Sequence, residues 1–283
     1  MPVNPSGASS ENAELQQTIY GLYTALAATS PLDPETGLGG KLLFAGDLGS
    51  ARHLLYAANI AGGASLAASI DPMAQRQAMR DGVVDFLVTS LDEALRILKN
   101  EIRKRQTVSV SVGLEPAEAV RQMLERGVLP DLLPPGSWSA VKTGLSEAAT
   151  QALRDQGAQP IGAQHVNAQD VSAQDVSAQD VPKQDNCGSE SARGVYATWA
   201  VDRDAAQWLP RIDARLSQIL PDEDVLRHRW LKLAPRYLGR VAQKQHGVGL
   251  NVVESKALRD AVSALLAGQD NLPAVYLAGE PLR

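Results

Sequence analysis

The sequence predicts an α/β fold, with a mostly parallel sheet flanked by helices and a helix-rich α/β part after it. Two observations predict it. From Lys41 to about Ile161, apolar runs of strand length alternate with longer helical stretches. Glycine, proline and capping residues stand at the joins between them. At 283 residues, with 44% hydrophobic and 4% aromatic content, the chain has enough material for a sizeable core in one large or two smaller domains.

Taken in order, Leu42, Leu43, Phe44 and Ala45 form an apolar run of the kind a strand buried on both faces requires. Gly46 and Gly49 permit a sharp turn, a helix is predicted from about Arg52 to Ala61, and Gly62-Gly63 ends it. Ser65 to Ile70 is a second apolar run. Asp71-Pro72 then opens a helix with a capping residue and a proline in its first turn. Val84 to Val88 predicts a strand, and Ser90-Leu91-Asp92-Glu93 reads as a capping box for a helix reaching about Lys104. Thr107 to Val112 is a β-branched strand, Pro116 to Arg126 a helix ended by Gly127, and Leu132-Leu133 a brief strand. A helix from Ser146 to Gln156 and a strand near Pro160-Ile161 complete the series. Strands regularly separated by helices mean βαβ units with right-handed crossovers.

Residues 163–190 are of low complexity: Ala168-Gln-Asp-Val-Ser and its neighbours make four copies of a five-residue repeat. Five residues are too few for a solenoid unit, and the polar content cannot repay the entropy of ordering, so a linker or exposed loop is expected. Beyond it, Ala205 to Ile219 and Asp224 to Lys244 read as helices, Pro235 kinking or dividing the second. Val248 to Val253 is predicted as a strand, Ser255 as the cap of a helix ended by Gly268, and Ala274 to Leu277 as a last strand. The expected division is an N-terminal tail and helix (1–38), an α/β domain (39–162), the linker (163–190) and a C-terminal α/β part (191–283).

The stretch Lys41 to Asp71 has the order of the opening unit of a nucleotide-binding α/β domain. There the turn amides and a helix N-terminus would hold a pyrophosphate. The G-x-G-x-x-G fingerprint is not met, because Gly46-Asp47-Leu48-Gly49 keeps two glycines at a spacing of three and Asp47 adds negative charge. A plain turn is the favoured reading and an anion site the alternative. Gly46, Gly49, Ser50 and Arg52 are where an anion is expected, with the Arg52 guanidinium replacing lost amides. Glu115, after the TVSVSVG strand, lies where α/β proteins place ligands.

The second C-terminal helix carries Arg229, Lys232, Arg236, Arg240 and Lys244 beside an apolar stripe of Leu226, Trp230, Leu233, Tyr237 and Val241. A solvated basic side is the favoured reading, an anion-binding face the other. A net charge of -5 argues against general nucleic-acid binding. The single cysteine, Cys187, excludes an intrachain disulfide and a multi-cysteine metal site. No apolar run has membrane-spanning length and the N-terminus lacks signal-peptide features, so a cytoplasmic protein is expected. His53, His165, His228 and His246 have no metal-ligand spacing, and Ser50 and Ser111 have no identifiable base nearby in sequence. Asp92-Glu93 reads as helix capping rather than as a catalytic carboxylate pair.

Three segments resemble urocanase, the urocanate hydratase of histidine degradation. Gly40 to Asp71 is similar, without gaps, to that family's NAD-binding turn, sharing Ala45-Gly46, Gly49, Ala57-Ala58, Ala61-Gly62, Leu66-Ala67 and Asp71-Pro72. Leu91-Asp92-Glu93-Ala94-Leu95 and Gly127-Val128-Leu129-Pro130-Asp131-Leu132 resemble its LDEAL and RGVxPDL segments. Trp199-Ala200, Asp213-Ala214, Leu220-Pro221-Asp222 and Trp230-Leu231 resemble the stretch after its catalytic cysteine. The resemblance implies a Rossmann-like domain and a reaction in which the substrate imidazole adds to tightly bound NAD⁺ before water enters.

The parts for that reaction are mostly replaced. The family's G-L-G-G-M-G-G reads Gly46-Asp47-Leu48-Gly49-Ser50-Ala51-Arg52, and the acidic residue expected to hold ribose hydroxyls falls at Ser69. Its T-D-Q-T-S run is Pro134-Pro135-Gly136-Ser137-Trp138, and its cysteine-arginine-glycine is Ala192-Arg193-Gly194. Cys187 lies nearby but within the polar linker, and is read as an incidental thiol. The chain is expected to begin just before the family's NAD-binding domain and to stop short of its terminal glycine-rich segment. The expectation is a degenerate non-hydratase with no catalytic residues, no metal and no resident cofactor, NAD being the one alternative. Its Rossmann-like domain is then a binding or structural module, pairing as a homodimer or with a partner around an unknown small ligand. The competing expectation is an enzyme on the same scaffold using NAD on a urocanate-like or other small substrate.

Overall fold

The computed structural model describes residues 6–135, 137–138, 140–162, 195–267 and 273–282. The pentapeptide repeat, Cys187, His165, Gly268 and Ala192-Arg193-Gly194 lie outside the described residues.

The α/β alternation is present as read. After helix α1 (Ser6–Thr29) come β1 (Leu42–Asp47), α2 (Arg52–Ala61), β2 (Ala64–Ala68), α3 (Pro72–Arg80), β3 (Phe86–Val88), α4 (Leu91–Arg103), β4 (Val108–Val112) and α5 (Pro116–Glu125). Then follow β5 (Leu132–Leu133), α6 (Ala140–Thr143), α7 (Glu147–Asp155) and β6 (Gln159–Pro160). These strands form one parallel sheet in the order β3-β4-β2-β1-β5-β6, a Rossmann-like arrangement. The winding reverses between β1 and β5, so the crevice beyond their carboxyl ends is where such a sheet places a ligand.

Helices cover both faces. Leu42, Phe44, Leu66, Val108 and Val110 pack with α4, α5 and α7 in one apolar cluster. Leu43, Ala45 and Ala67 join α1 and α2 in the other. β2 and β4 are buried along their whole lengths, which puts three serines in the core. Two satisfy one another, Ser65 Oγ donating to Ser109 Oγ at 2.9 Å, and Ser111 Oγ accepts from Gln75 Nε2 at 3.3 Å.

A second, antiparallel sheet, ordered β10-β9-β7-β8, is built from β7 (Val195–Val201), β8 (Gln245–Leu250), β9 (Val275–Leu277) and β10 (Glu280–Pro281). It packs with α8 (Ala205–Ile219), α9 (Val225–Leu238) and α10 (Val252–Leu266). Helix α1 ties the two sheets together. Gln16 Nε2 donates to the Val241 and Gln245 carbonyls at 2.9 and 2.8 Å, and Tyr23 Oη donates to Leu226 O at 2.8 Å. Tyr20, Tyr23 and Trp230 pack their rings edge-on or tilted between α1 and α9, and one apolar cluster runs from α1 through α2 into the second sheet.

Three expectations need correction here. The strand predicted at Val248 to Val253 is instead Gln245–Leu250, and α10 is capped by Asn251 rather than Ser255. Asn251 Oδ1 accepts from Glu254 N at 2.8 Å while Glu254 Oε2 accepts from Asn251 N at 2.9 Å; this reciprocal box starts the helix four residues early. The helix predicted from Asp224 to Lys244 ends at Leu238. Gly239, at φ 53° and ψ −115°, turns the chain into a short 3-10 turn, whereas Pro235 stays inside α9. Apolar periodicity does not predict β7, because VYATWAV is only half-buried along most of its length.

Candidate functional site

The turn after β1 is formed by the residues the sequence singles out, but its groups are used differently. β1 ends in a register shift between Phe44 and Gly46, a bulge that re-aims the chain just before the turn. Gly46 then takes φ +80°, a left-handed conformation in which a side chain is strained, and a Cβ there would collide with the carbonyl oxygen of Thr143. Glycine is required at this position because another stretch of backbone lies on it.

That stretch follows α6. Gly144, at φ +67°, has no room for a side chain either: a Cβ would stand 2.7 Å from Cγ of Pro116, at the start of α5, and 3.4 Å from Cβ of Asp47. The chain at 143–144 therefore threads between the end of β1 and the start of α5, at the carboxyl end of the sheet. Lys142 Nζ sits 4.2 Å from the centroid of the Trp138 ring, and Trp138 packs against the core cluster that contains α2.

Three amides of the turn, those of Leu48, Ser50 and Ala51, are bonded within the chain. Asp47 Oδ2 accepts from Ser50 N at 3.0 Å and Asp47 O from Ala51 N at 2.9 Å, while Leu48 N donates to Ala68 O at 2.9 Å. A Cβ on Gly49 would lie 3.2 Å from the same Asp47 Oδ2. The carboxylate thus stands over the turn where a bound anion's oxygen would stand. Arg52 does not face this turn: its guanidinium pairs with Asp81, just past the end of α3.

The neighbouring strand ends are also satisfied locally. Ser69 is buried, its Oγ accepting from Asp71 N at 3.1 Å and its carbonyl from Gln75 Nε2 at 3.1 Å. Gln75 Nε2 also reaches Ser111 Oγ at 3.3 Å. Asp71 caps α3 by accepting from Met73 N at 2.8 Å, the role the Asp-Pro pair predicts. Glu115 is exposed at the N-cap of α5 and makes no side-chain cap bond. Gly46, Asp47, Gly49 and Ser50 thus share one turn, Ser69 and Glu115 follow the adjacent β2 and β4, and Arg52 points away. Thr143, Gly144, Trp138 and Lys142 are the participants that sequence reasoning misses. Only Gly144, a glycine soon after Pro134-Pro135, gives any signal of them.

A second polar cluster lies in the antiparallel sheet. Asp213 of α8 accepts from Trp199 Nε1 at 2.9 Å and from His246 Nδ1 at 2.8 Å, and Trp199 and His246 are opposed residues of β7 and β8. Each carboxylate oxygen accepts one of these bonds, so the cluster anchors α8 to its sheet. Among the described residues no group of three or more His, Cys, Asp or Glu side chains is arranged to hold a metal ion. Among them, no helix is long and apolar enough to cross a membrane.

Comparison with protein families matches residues 15–136 to the Urocanase Rossmann-like domain. Among curated proteins, S-methyl thiourocanate hydratase from Variovorax sp. (strain JCM 16519 / RA8) is 25% identical over 121 residues. That match covers 42% of this chain and 22% of the relative, so the chain spans under a quarter of the relative's length.

Proposed function

We propose that this relative of the urocanase family, which carries the family's Rossmann-like domain, is a non-hydratase member whose domain serves as a binding or structural module. The observation that carries the reading is the pair of oxygens at the turn, the Asp47 carboxylate on Ser50 N and the Thr143 carbonyl against Gly46. A dinucleotide's pyrophosphate laid on this turn would meet both, oxygen against oxygen, and would have to displace the Asp47 carboxylate to reach the Ser50 amide. The residues present therefore do not fit that group, which supports a domain without resident NAD.

The module acts as a homodimer in a cytoplasmic setting, pairing through the α3–β3 edge. Met73, Met79 and Phe86, three of the large exposed apolar side chains, lie on α3 and β3, and among the described residues β3 is an end strand of the parallel sheet. Light scattering should report a dimer that Phe86→Glu weakens; a monomer at all concentrations contradicts the pairing.

The alternative is an enzyme that uses NAD on a urocanate-like or other small substrate, and the hydratase name of the curated relative favours it. Two measurements separate the readings. The absorbance ratio of the pure protein at 260 and 280 nm, with mass spectrometry of its denatured supernatant, should show no dinucleotide. Incubation with urocanate should leave the urocanate absorbance unchanged. Stoichiometric NAD, or a protein-dependent fall in that absorbance, overturns the proposal.

A further inference from the structure

The amino end of the parallel sheet, away from the closed turn, carries a concave surface of opposite character. Helix α9 presents Arg229, Lys232 and Arg236 along one side. That side, the loop at 34–36 before β1 and Arg105-Gln106-Thr107 before β4 together line a groove of about 740 Å³. This volume is in the range of small-molecule sites. Tyr237, Leu233 and Val225 contribute apolar surface to the same groove.

The charge is poorly balanced. Arg105, Arg229, Lys232 and Arg236 face Glu35 and Asp222, with His228 also on the lining. Nearby Asp33 is occupied in its own turn, where Oδ1 accepts from Glu35 N, Thr36 N and Thr36 Oγ1 at 2.8–3.0 Å. Among the described residues Arg105, Lys232 and Arg236 make no ion pair, whereas other arginines such as Arg121, Arg126 and Arg227 each have a carboxylate partner.

Arg229 is a fixed, half-buried cation at the groove's inner wall. Its Nε donates to Ile60 O at 2.8 Å, near the C-terminus of α2, and its Nη1 to Glu35 O at 3.4 Å. Both acceptors are neutral. Gly37 and Gly62 have left-handed φ angles and no side chains, which makes room for this guanidinium: a Cβ on Gly37 would stand 2.6 Å from its Cζ. The fold thus accommodates a half-buried positive charge with no carboxylate in direct contact, Asp33 acting on it only through space. Burial pushes the Arg229 pKa below its ordinary value, outweighing the opposing influence of Tyr23, Tyr237 and Asp33.

We propose that this groove is an anion site for a small organic oligophosphate. Its phosphates would be held by Arg105, Lys232 and Arg236 in front of Arg229, and its apolar body would lie against Tyr237 and Leu233. Guanidinium forks match phosphate oxygens in pairs, and several unneutralised cations around one concavity favour a ligand with closely spaced charges. Arg240 and Lys244, the remaining members of the basic stripe, lie beyond the groove lining.

The test is calorimetric titration of the full chain with inorganic tripolyphosphate at moderate salt, with citrate and polyglutamate as competing carboxylate probes. The expected result is saturable binding at one site. Lys232→Ala with Arg236→Ala should weaken it at least about tenfold, the loss of two charge-assisted contacts. Arg121→Ala with Arg126→Ala, on the remote α5 region, should leave it unchanged. Lys232 and Arg236 are exposed, so the variant should keep its fold by circular dichroism. Should it not, Arg105→Ala gives the same reading at another wall, with an expected several-fold loss. Absence of saturable binding, binding unaffected by these variants, or equal or tighter binding of citrate or polyglutamate overturns the proposal. None of these outcomes depends on whether the turn after β1 accepts NAD.

Discussion

At the carboxyl end of the parallel sheet, the groups that might greet a ligand are met by the chain itself. Asp47 takes the Ser50 amide, Thr143 rests on Gly46, and Arg52 is drawn off to Asp81. At the amino end the reverse holds, with Arg105, Lys232 and Arg236 around a groove and no carboxylate paired to them among the described residues. A doubly wound sheet conventionally binds at the first end and not the second. The contrast teaches that topology supplies the crevice but side chains and crossing backbone decide whether it stays open.

The comparison breaks most decisively at Gly46. Gly46→Val forces a β-branched residue into a left-handed conformation against the Thr143 carbonyl. Urea denaturation should show a loss of about 3–5 kcal/mol. A loss under about 1 kcal/mol would mean that the 143–144 backbone is not seated on the turn.

Helix α9 sharpens the same contrast, because it carries both paired and unpaired cations. Arg227 is half-buried and bridges Asp224 and both oxygens of Glu254. Arg227→Met should cost about 2–4 kcal/mol by leaving two carboxylates without their partner. Lys232→Met, on the same helix, should change stability by less than about 0.5 kcal/mol. Equal costs at the two positions would remove the distinction.

The paired side also has a pH signature. Burial alone would raise the Glu254 pKa, but hydrogen bonds from Arg227 and from the Asn251 amide outweigh it and hold it below its usual value. The folded state therefore binds fewer protons than the unfolded state, so this stabilisation is full above the ordinary glutamate pKa of about 4.3 and is lost as pH falls through the lowered folded value. Stability measured from pH 6 to 3 should fall less steeply in Glu254→Gln than in the parent. Parallel curves would contradict the assignment.

The smallest effect is expected at Asp47. Asp47→Ala removes the acceptor of the Ser50 amide in an exposed turn and should cost about 0.5–1 kcal/mol. A gain in stability would indicate that the carboxylate is a strained occupant of the turn.

Much of the fold was legible because strands buried on both faces leave unbroken apolar runs such as Leu42 to Ala45, and because caps such as Asp71 and Ser90 act over three residues or fewer. β7 was not, since a half-buried strand mixes polar and apolar positions without a clean period. Of the candidate site, the turn glycines were readable from Gly46 and Gly49. The closure was not, because it is made by the carbonyl of Thr143, a backbone group every residue carries and which leaves no mark in the sequence. The Arg52 guanidinium likewise gives no sign of choosing Asp81 over an anion, since that choice depends on where the end of α3 comes to rest. The basic stripe on α9 was visible as a stripe. Its becoming a groove required the 34–36 and 105–107 loops to arrive from distant parts of the chain.

The most direct test of the closed crevice is a crystal structure of the protein grown with saturating NAD. The expected density over the β1–α2 turn is the Asp47 carboxylate on the Ser50 amide with Thr143 against Gly46, and no dinucleotide. A pyrophosphate on the amides of Gly49 and Ser50, with the 143–144 backbone displaced, would contradict it.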